Sequence, residues 1–244
     1  MALYMVGIGL NDEKDISLKG LETVKKCDIV YLENYTSKLS CDVRDLEKLY
    51  GKKIILADRN LVENEAEDTI LKNAKEKDVA FLVIGDVFSA TTHVDLMLRA
   101  KKENIAVKII HNASVLTAVG VSGLELYKFG KTTSIPFGNQ NIKAPITVLK
   151  DNQKLGLHTL FLLDLDPEKN RFMGISEAVS YLLKNGLKEE TFAIGCAALG
   201  SENPEIKYDN LKNLAKAKFK KFPQCLIIPG KLHFMEEEAL KLYS

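Results

Sequence analysis

Leu3-Tyr4-Met5-Val6-Gly7-Ile8-Gly9-Leu10 is an apolar run that ends in a Gly-x-Gly turn, and Val79-Ala80-Phe81-Leu82-Val83-Ile84-Gly85-Asp86 repeats the pattern further along the chain. Continuous apolar runs of this length, bounded by glycine, predict buried strands. Where such strands lie parallel in an open α/β sheet, their carboxyl ends open onto the ligand crevice. The two glycine turns therefore mark places where main chain can come close to a small molecule.

Outward from these runs, the amino-terminal half alternates strand and helix. Ser17 caps a predicted helix through about Lys26, and Asp28 to Leu32 reads as the second strand. A polar loop from Glu33 to Ser40 leads to a helix over Asp42 to Tyr50, closed by Gly51, and a short strand over Lys53 to Leu56. The charged segment Val62 to Lys75 is expected to be helical, as is Thr91 to Glu103; Ala106 to Ile110 is a strand, and Ser114 to Ser122 a small-residue helix ended by Gly123. This alternation implies βαβ units, right-handed crossovers and a mostly parallel sheet.

The punctuation changes after Gly123. Gly130, Pro136, Gly138 and Pro145 read as a linker and an irregular entry into a second domain. Strands are expected over His158 to Asp164, Thr191 to Ala197 and Gln224 to Ile228, with helices over Gly174 to Lys184, Asn210 to Ala217 and His233 to Tyr243 and a turn over Gly200 to Pro204. The expectation is an α/β domain over 1–122 and a second over 123–244 with a mixed sheet.

Composition narrows the functional classes. The 244 residues are 46% hydrophobic and 27% charged, with a net charge of +1, so no strong field steers the chain onto nucleic acid or a membrane. Lysine outnumbers arginine, which leaves few bidentate readers of phosphate or guanine. The Lys216 to Lys221 stretch reads as solvated helix surface. Cys27, Cys41, Cys196 and Cys225 form no CxxC pair, and His93, His111, His158 and His233 lack metal-ligand spacing, so no metal site is expected. No apolar run reaches membrane-helix length and no signal peptide is apparent. The expectation is a reduced, cytoplasmic protein.

Four segments could carry chemistry. Gly7-x-Gly9 lacks the third glycine of a dinucleotide fingerprint, that position being Asp12, although Glu33 lies near the end of the second strand. Asp86 could accept hydrogen bonds from ribose hydroxyls or an amino group, or cap the helix that follows; Ser89 and Thr91 are further possible caps. Ser114 reads as an N-cap that could also let a ligand lie against a helix start. His233, after Pro229-Gly230-Lys231-Leu232, reads as a first-turn helix residue or as a ligand's hydrogen-bonding partner.

Taken together, these pieces resemble the tetrapyrrole methylase superfamily. The likeness rests on Gly7-Ile8-Gly9-Leu10, on Ile16-Ser17-Leu18-Lys19-Gly20, and on Gly85-Asp86-Val87, where Val87 replaces the usual proline. Within the superfamily the chain is most similar to the diphthine synthase family. The stretches that carry this are Asp15 to Leu21, Glu33-Asn34-Tyr35-Thr36-Ser37, Ala90-Thr91-Thr92-His93, Gly120 to Leu124, Tyr127-Lys128-Phe129-Gly130-Lys131, Gly156-Leu157-His158-Thr159-Leu160 and Pro229 to His233.

The resemblance implies two α/β domains with S-adenosyl-L-methionine in the cleft between them, S-adenosyl-L-homocysteine as product, and a homodimer. It implies as acceptor the aminocarboxypropyl-modified histidine of translation elongation factor 2. The family's cofactor positions fall on Leu10, Asp86, Ser89, Ser114, Val115, Leu163, Tyr208 and His233, with an unusual side chain at Tyr208. No general base is assigned. Compact members of this family are expected to trimethylate the amine and longer ones also to methylate the carboxylate; the length here leans to the former. Two rival readings share the fold: a corrin-precursor methyltransferase and a non-catalytic ligand-binding protein.

Overall fold

The computed structural model describes the whole chain, Met1–Ser244. It falls into two compact units, Met1–Leu116 and Thr117–Ser244. In the first, the elements run β1 (Leu3–Gly7), α1 (Leu18–Lys26), β2 (Ile29–Glu33), α2 (Val43–Tyr50), β3 (Ile55–Ala57), α3 (Arg59–Glu63), α4 (Lys72–Glu76), β4 (Val79–Val83), α5 (Val94–Lys102) and β5 (Val107–Ile110). A short helix, α6 (Val115–Ala118), follows β5.

The five strands form a wholly parallel sheet in the order β3-β2-β4-β1-β5. Each central strand buries both faces, so alternate residues belong to different cores. Leu3, Met5, Phe81 and Val83 pack with Val62, Ile70, Leu71, Leu96 and Ala100 from α3 to α5. Val6, Ala80 and Leu82 pack on the opposite face with Val24, Leu46 and Tyr50 from α1 and α2. The helices therefore cover both sides of the sheet. The connection leaving β1 passes β4 to reach β2, and the one leaving β4 passes β1 to reach β5. The carboxyl ends of β1 and β4 thus lie where connections diverge in opposite directions, the place where open α/β sheets bind ligands.

Local signals explain the helix limits. Ser17 Oγ accepts from the Gly20 N–H at 3.1 Å, and Asp42 and Asp45 form a capping box on α2, which Gly51 ends in a left-handed conformation. The expected single helix over 62–75 is broken: α3 stops near Asn64, and a π turn over Glu67–Leu71, in which the consecutive Ile70 and Leu71 are both fully buried, leads into α4. Helix α5 starts at Val94 rather than Thr91. Ala90 has φ 60°, which a right-handed helix cannot continue, and Thr91 Oγ1 donates back to Val87 O.

The second unit runs β6 (Thr133–Ile135), α7 (Ala144–Lys154), β7 (Thr159–Leu163), β8 (Leu165–Asp166), β9 (Arg171–Phe172), α8 (Ile175–Lys184), β10 (Phe192–Ala197), β11 (Glu205–Asn210), α9 (Leu211–Leu214), β12 (Gln224–Ile228) and α10 (Phe234–Leu240). Its main sheet, β11-β10-β12-β7-β6, is mixed: only β6 and β7 run parallel. One face carries Ile135, Phe161, Leu163, Ala193, Leu226 and Ile228 against α7, α8 and α9. Several elements of this unit depart from the sequence expectation. The Pro145 region is not linker but the first turn of α7, where a missing N–H costs nothing. Strands β6, β8, β9 and β11 lie where the sequence marks none. The chain contains no helix long and apolar enough to cross a membrane.

Candidate active site

Two glycine turns meet at the carboxyl edge of the first sheet. The parallel pairing of β1 and β4 stops at Gly7 and Val83; beyond it Gly9 N–H donates to Gly85 O at 3.3 Å and Gly85 N–H donates to Gly9 O at 2.7 Å. Both glycines have positive φ, 85° and 88°. A Cβ on Gly9 would lie 2.3 Å from Asp15 Cβ, so this turn is closed. Asp15 holds it, accepting at Oδ2 from the N–H groups of Leu10 (3.1 Å) and Asn11 (2.7 Å). Asn112 Nδ2 donates to both Gly7 O and Asp15 O at 3.0 Å and so ties the end of β5 to the same turn. Gly85 differs. A Cβ there would stand in ordinary van der Waals contact with Leu10 Cδ2 at 3.7 Å and Ala113 O at 3.8 Å, so this buried turn has room for a methyl where Gly9 has none.

Asp86 follows that turn. Its Oδ1 accepts from the Phe88 N–H and from Ser89 Oγ, both at 3.1 Å; its Oδ2 accepts from the Asn112 N–H at 3.1 Å and from His111 Nδ1 at 2.8 Å. Burial acts to raise the carboxyl pKa, but these donors outweigh it and hold the group below its ordinary value. Asp86 is therefore an ionised anchor of a tight turn rather than a helix cap, because α5 begins only at Val94. Ser89 and Thr91 do not cap α5 either: His93 occupies its N-cap without a side-chain bond. Ser114 does cap, its Oγ accepting from the Leu116 N–H at 3.0 Å ahead of Val115 in α6. The topology also disposes of a dinucleotide role for Glu33. Strand β4 separates β2 from β1, and Glu33 is buried with Thr36 as its partner, burial pushing its pKa up.

The expected cofactor residues divide between the units. Leu10, Asp86, Ser89, Ser114 and Val115 belong to the first, where β1, β4 and β5 end. Leu163, Tyr208 and His233 belong to the second. Leu163 is the last residue of β7, and Tyr208 sits on β11 opposite Ile194, its ring 5.2 Å from that of Phe192. His233 is the N-cap of α10, not a first-turn residue, and its Nδ1 accepts from the Met235 N–H.

His233 belongs to a larger arrangement that the sequence did not reveal. Glu236, 1% exposed, accepts at Oε1 from the Glu125 N–H (2.9 Å) and His158 Nε2 (2.8 Å), and at Oε2 from the His233 N–H (2.8 Å) and Lys128 Nζ. His158 Nδ1 in turn accepts from the Gly230 N–H at 2.9 Å. The segments around Lys128, His158 and Gly230 to His233 thus converge on one carboxylate. Burial alone would raise the Glu236 pKa; Lys128, the two N–H groups and His158 bring it down to about 2. His158, desolvated, is shifted towards its neutral form. His93 is likewise neutral: buried between the rings of Tyr35 and Phe81, it is pushed down to about 4. Asn112 and Glu236 were missed because no local pattern marks a polar side chain whose partners lie some eighty to a hundred and eleven residues away.

A doubly wound parallel sheet with two paired glycine turns at its switch point, followed by a mixed α/β unit, is an architecture for binding a small molecule. The family described as Tetrapyrrole (Corrin/Porphyrin) Methylases matches residues 2–215. The chain is 47% identical to a diphthine synthase of Methanococcus maripaludis, over 98% of this chain and 97% of the relative. It is 41% identical to the diphthine methyl ester synthase of Homo sapiens, over 99% and 95%. A solved structure of diphthine synthase superposes with a TM-score of 0.93 at 38% identity, covering 100% of this chain and 96% of the other. The chain belongs to the tetrapyrrole methylase family and, within it, to the diphthine synthases; it is a methyltransferase.

Proposed function

We propose that this methyltransferase uses S-adenosyl-L-methionine to methylate the amino group of the aminocarboxypropyl-modified histidine of translation elongation factor 2. The product is diphthine with a trimethylated amine, and S-adenosyl-L-homocysteine is released. The observation that supports this reading most is the near full-length match to a diphthine synthase at 47% identity. The protein acts as a cytoplasmic homodimer of two-domain subunits, divided near residue 122.

The residues at the carboxyl ends of β1, β4 and β5 fit such a cofactor. Beside the Gly85 turn stand the Leu10 side chain and the Ala113 carbonyl, so apolar contact lies next to a main-chain acceptor there. Leu10, Asp86, Ser89, Ser114, Val115, Leu163, Tyr208 and His233 would hold it. When bound, it would supply an electrophilic methyl carbon on sulfur to the acceptor amine. The chain's task is then alignment, and orientation of this kind supplies roughly 7–11 kcal/mol. Asp86 contributes by shaping the turn over 85–89, since its lone pairs already serve four donors of the chain itself.

The test is a mass measurement. The protein is mixed with labelled S-adenosyl-L-methionine and elongation factor 2 carrying the aminocarboxypropyl histidine, and the intact mass of the factor is read. A gain of three methyl masses is expected. A gain of four places a methyl on the carboxylate as well, and no gain with cofactor binding intact sinks the choice of acceptor.

A further inference from the structure

We infer that His111 is the general base that takes protons from the acceptor amine, with Asp86 fixing its tautomer. The inference rests on the amine-methylation reading above. Such an acceptor arrives as an ammonium and must lose a proton before its lone pair can attack. A methylated amine that is to react again must lose another. Repeated methylation therefore needs a base that can be reset.

Four histidines are available, and the structure gives them different chemistry. His93 and His158 are buried, and His158 uses both ring nitrogens, one on Glu236 and one on Gly230. His233 accepts at Nδ1 from Met235, which puts its proton on Nε2 and makes that outer edge a donor. His111 has the opposite arrangement. The ionised carboxylate of Asp86 can only accept, so Nδ1 carries the proton that bridges the 2.8 Å contact, and Nε2 is left with a lone pair. The His111 side chain is 70% exposed, so that lone pair faces outward.

Its place in the fold is suited to the task. His111 follows the last residue of β5, is bonded to Asp86 at the end of β4, and lies three positions before Ser114, so expected cofactor residues flank it on both sides. The charged group facing it is Asp86; Phe88, whose ring lies 6.4 Å away, and the neighbouring Ser89 and Asn112 carry no charge. In the step, an amine N–H bond breaks and leaves its electron pair on nitrogen, while the proton forms a bond to His111 Nε2. The imidazolium is balanced by the Asp86 carboxylate. Bulk water then takes the proton from the exposed Nε2 and restores the neutral ring for the next round.

The experiment compares native protein with His111→Ala and His111→Gln, using the modified elongation factor as acceptor. In both variants kcat should fall roughly 10²-fold, within the range a general base supplies, while cofactor affinity measured by calorimetry stays within about twofold of native. Added imidazole should restore part of the His111→Ala rate, which a purely structural role would not allow. Independently of activity, nitrogen-15 spectra of histidine-labelled native protein should show His111 with its proton on Nδ1. A proton on Nε2, a variant kcat within about threefold of native across the pH range, or no imidazole rescue overturns the assignment. If native protein binds cofactor but transfers no methyl to this acceptor, the functional reading fails and the inference falls with it.

Discussion

Asp86 and Glu236 receive the same set of donors in two different settings. Each carboxylate accepts from two backbone N–H groups, one imidazole and one further side chain. In the first unit the imidazole is mostly exposed and the extra donor is the neutral Ser89. In the second the imidazole is fully buried and the extra donor is the cation of Lys128. Exposure separates their uses. Around Glu236 both carboxylate oxygens and both ring nitrogens of His158 are spent inside the protein, so the cluster fastens distant segments together. Around Asp86 one nitrogen is left over at the surface, and a leftover nitrogen is what chemistry requires.

The largest effect is expected where the comparison is most one-sided. Glu236→Ala leaves the Lys128 ammonium and two N–H groups without their partner and should cost roughly 3–5 kcal/mol in urea unfolding. A loss below about 1 kcal/mol would show that water can replace the carboxylate and that the two clusters are alike. The same carboxyl is depressed in the fold from its ordinary 4.5 to about 2. Its contribution is therefore complete above about pH 4.5 and lost as the pH falls towards 2, so the native protein should weaken over that interval more than Glu236→Gln.

The glycine turns sharpen the picture next. Both Gly9→Ala and Gly85→Ala carry about 1–2 kcal/mol of left-handed strain. Only the first also overpacks against Asp15, for roughly 1–3 kcal/mol more. Thermal melts of the pair should separate them by that second amount, whereas cofactor affinity should suffer more in Gly85→Ala. Asp86→Ala unpairs the Phe88 and Asn112 N–H groups and should weaken cofactor binding roughly tenfold by calorimetry, about 1.4 kcal/mol; an unchanged affinity would remove Asp86 from the site. Smallest of all, His111→Ala should alter folding stability by no more than about 0.5 kcal/mol, as surface substitutions do. A large destabilisation would make the exposed dyad as structural as the buried one.

Much of the first unit can be read without coordinates because its strands are buried on both faces and its helices carry strong caps. The runs ending at Gly7 and Val83, the Ser17 cap and the Asp42 to Gly51 helix all follow from short-range rules. The second unit hides more. Strand β11, Glu-Ile-Lys-Tyr-Asp-Asn, is half-buried throughout and carries charge, so it lacks the apolar signature of a strand and is defined by its pairing with β10. Pro145 looks like a breaker until the helix it opens is seen. Within the site, Ser114 was readable as a cap because its partner is two residues away. Asn112 was not: its contacts to Gly7 and Asp15 span 105 and 97 positions.

The paired turns at Gly9 and Gly85 have a consequence for how ligand preference can change in this protein. Peptide groups of residues 9 and 85 are locked to each other there. Replacing a side chain cannot rewrite a turn that is made of peptide. Variation in what the chain accepts must therefore be written in neighbouring side chains such as Leu10, and a library that randomises that position while leaving both glycines and His111 untouched explores specificity with the turn and the base intact.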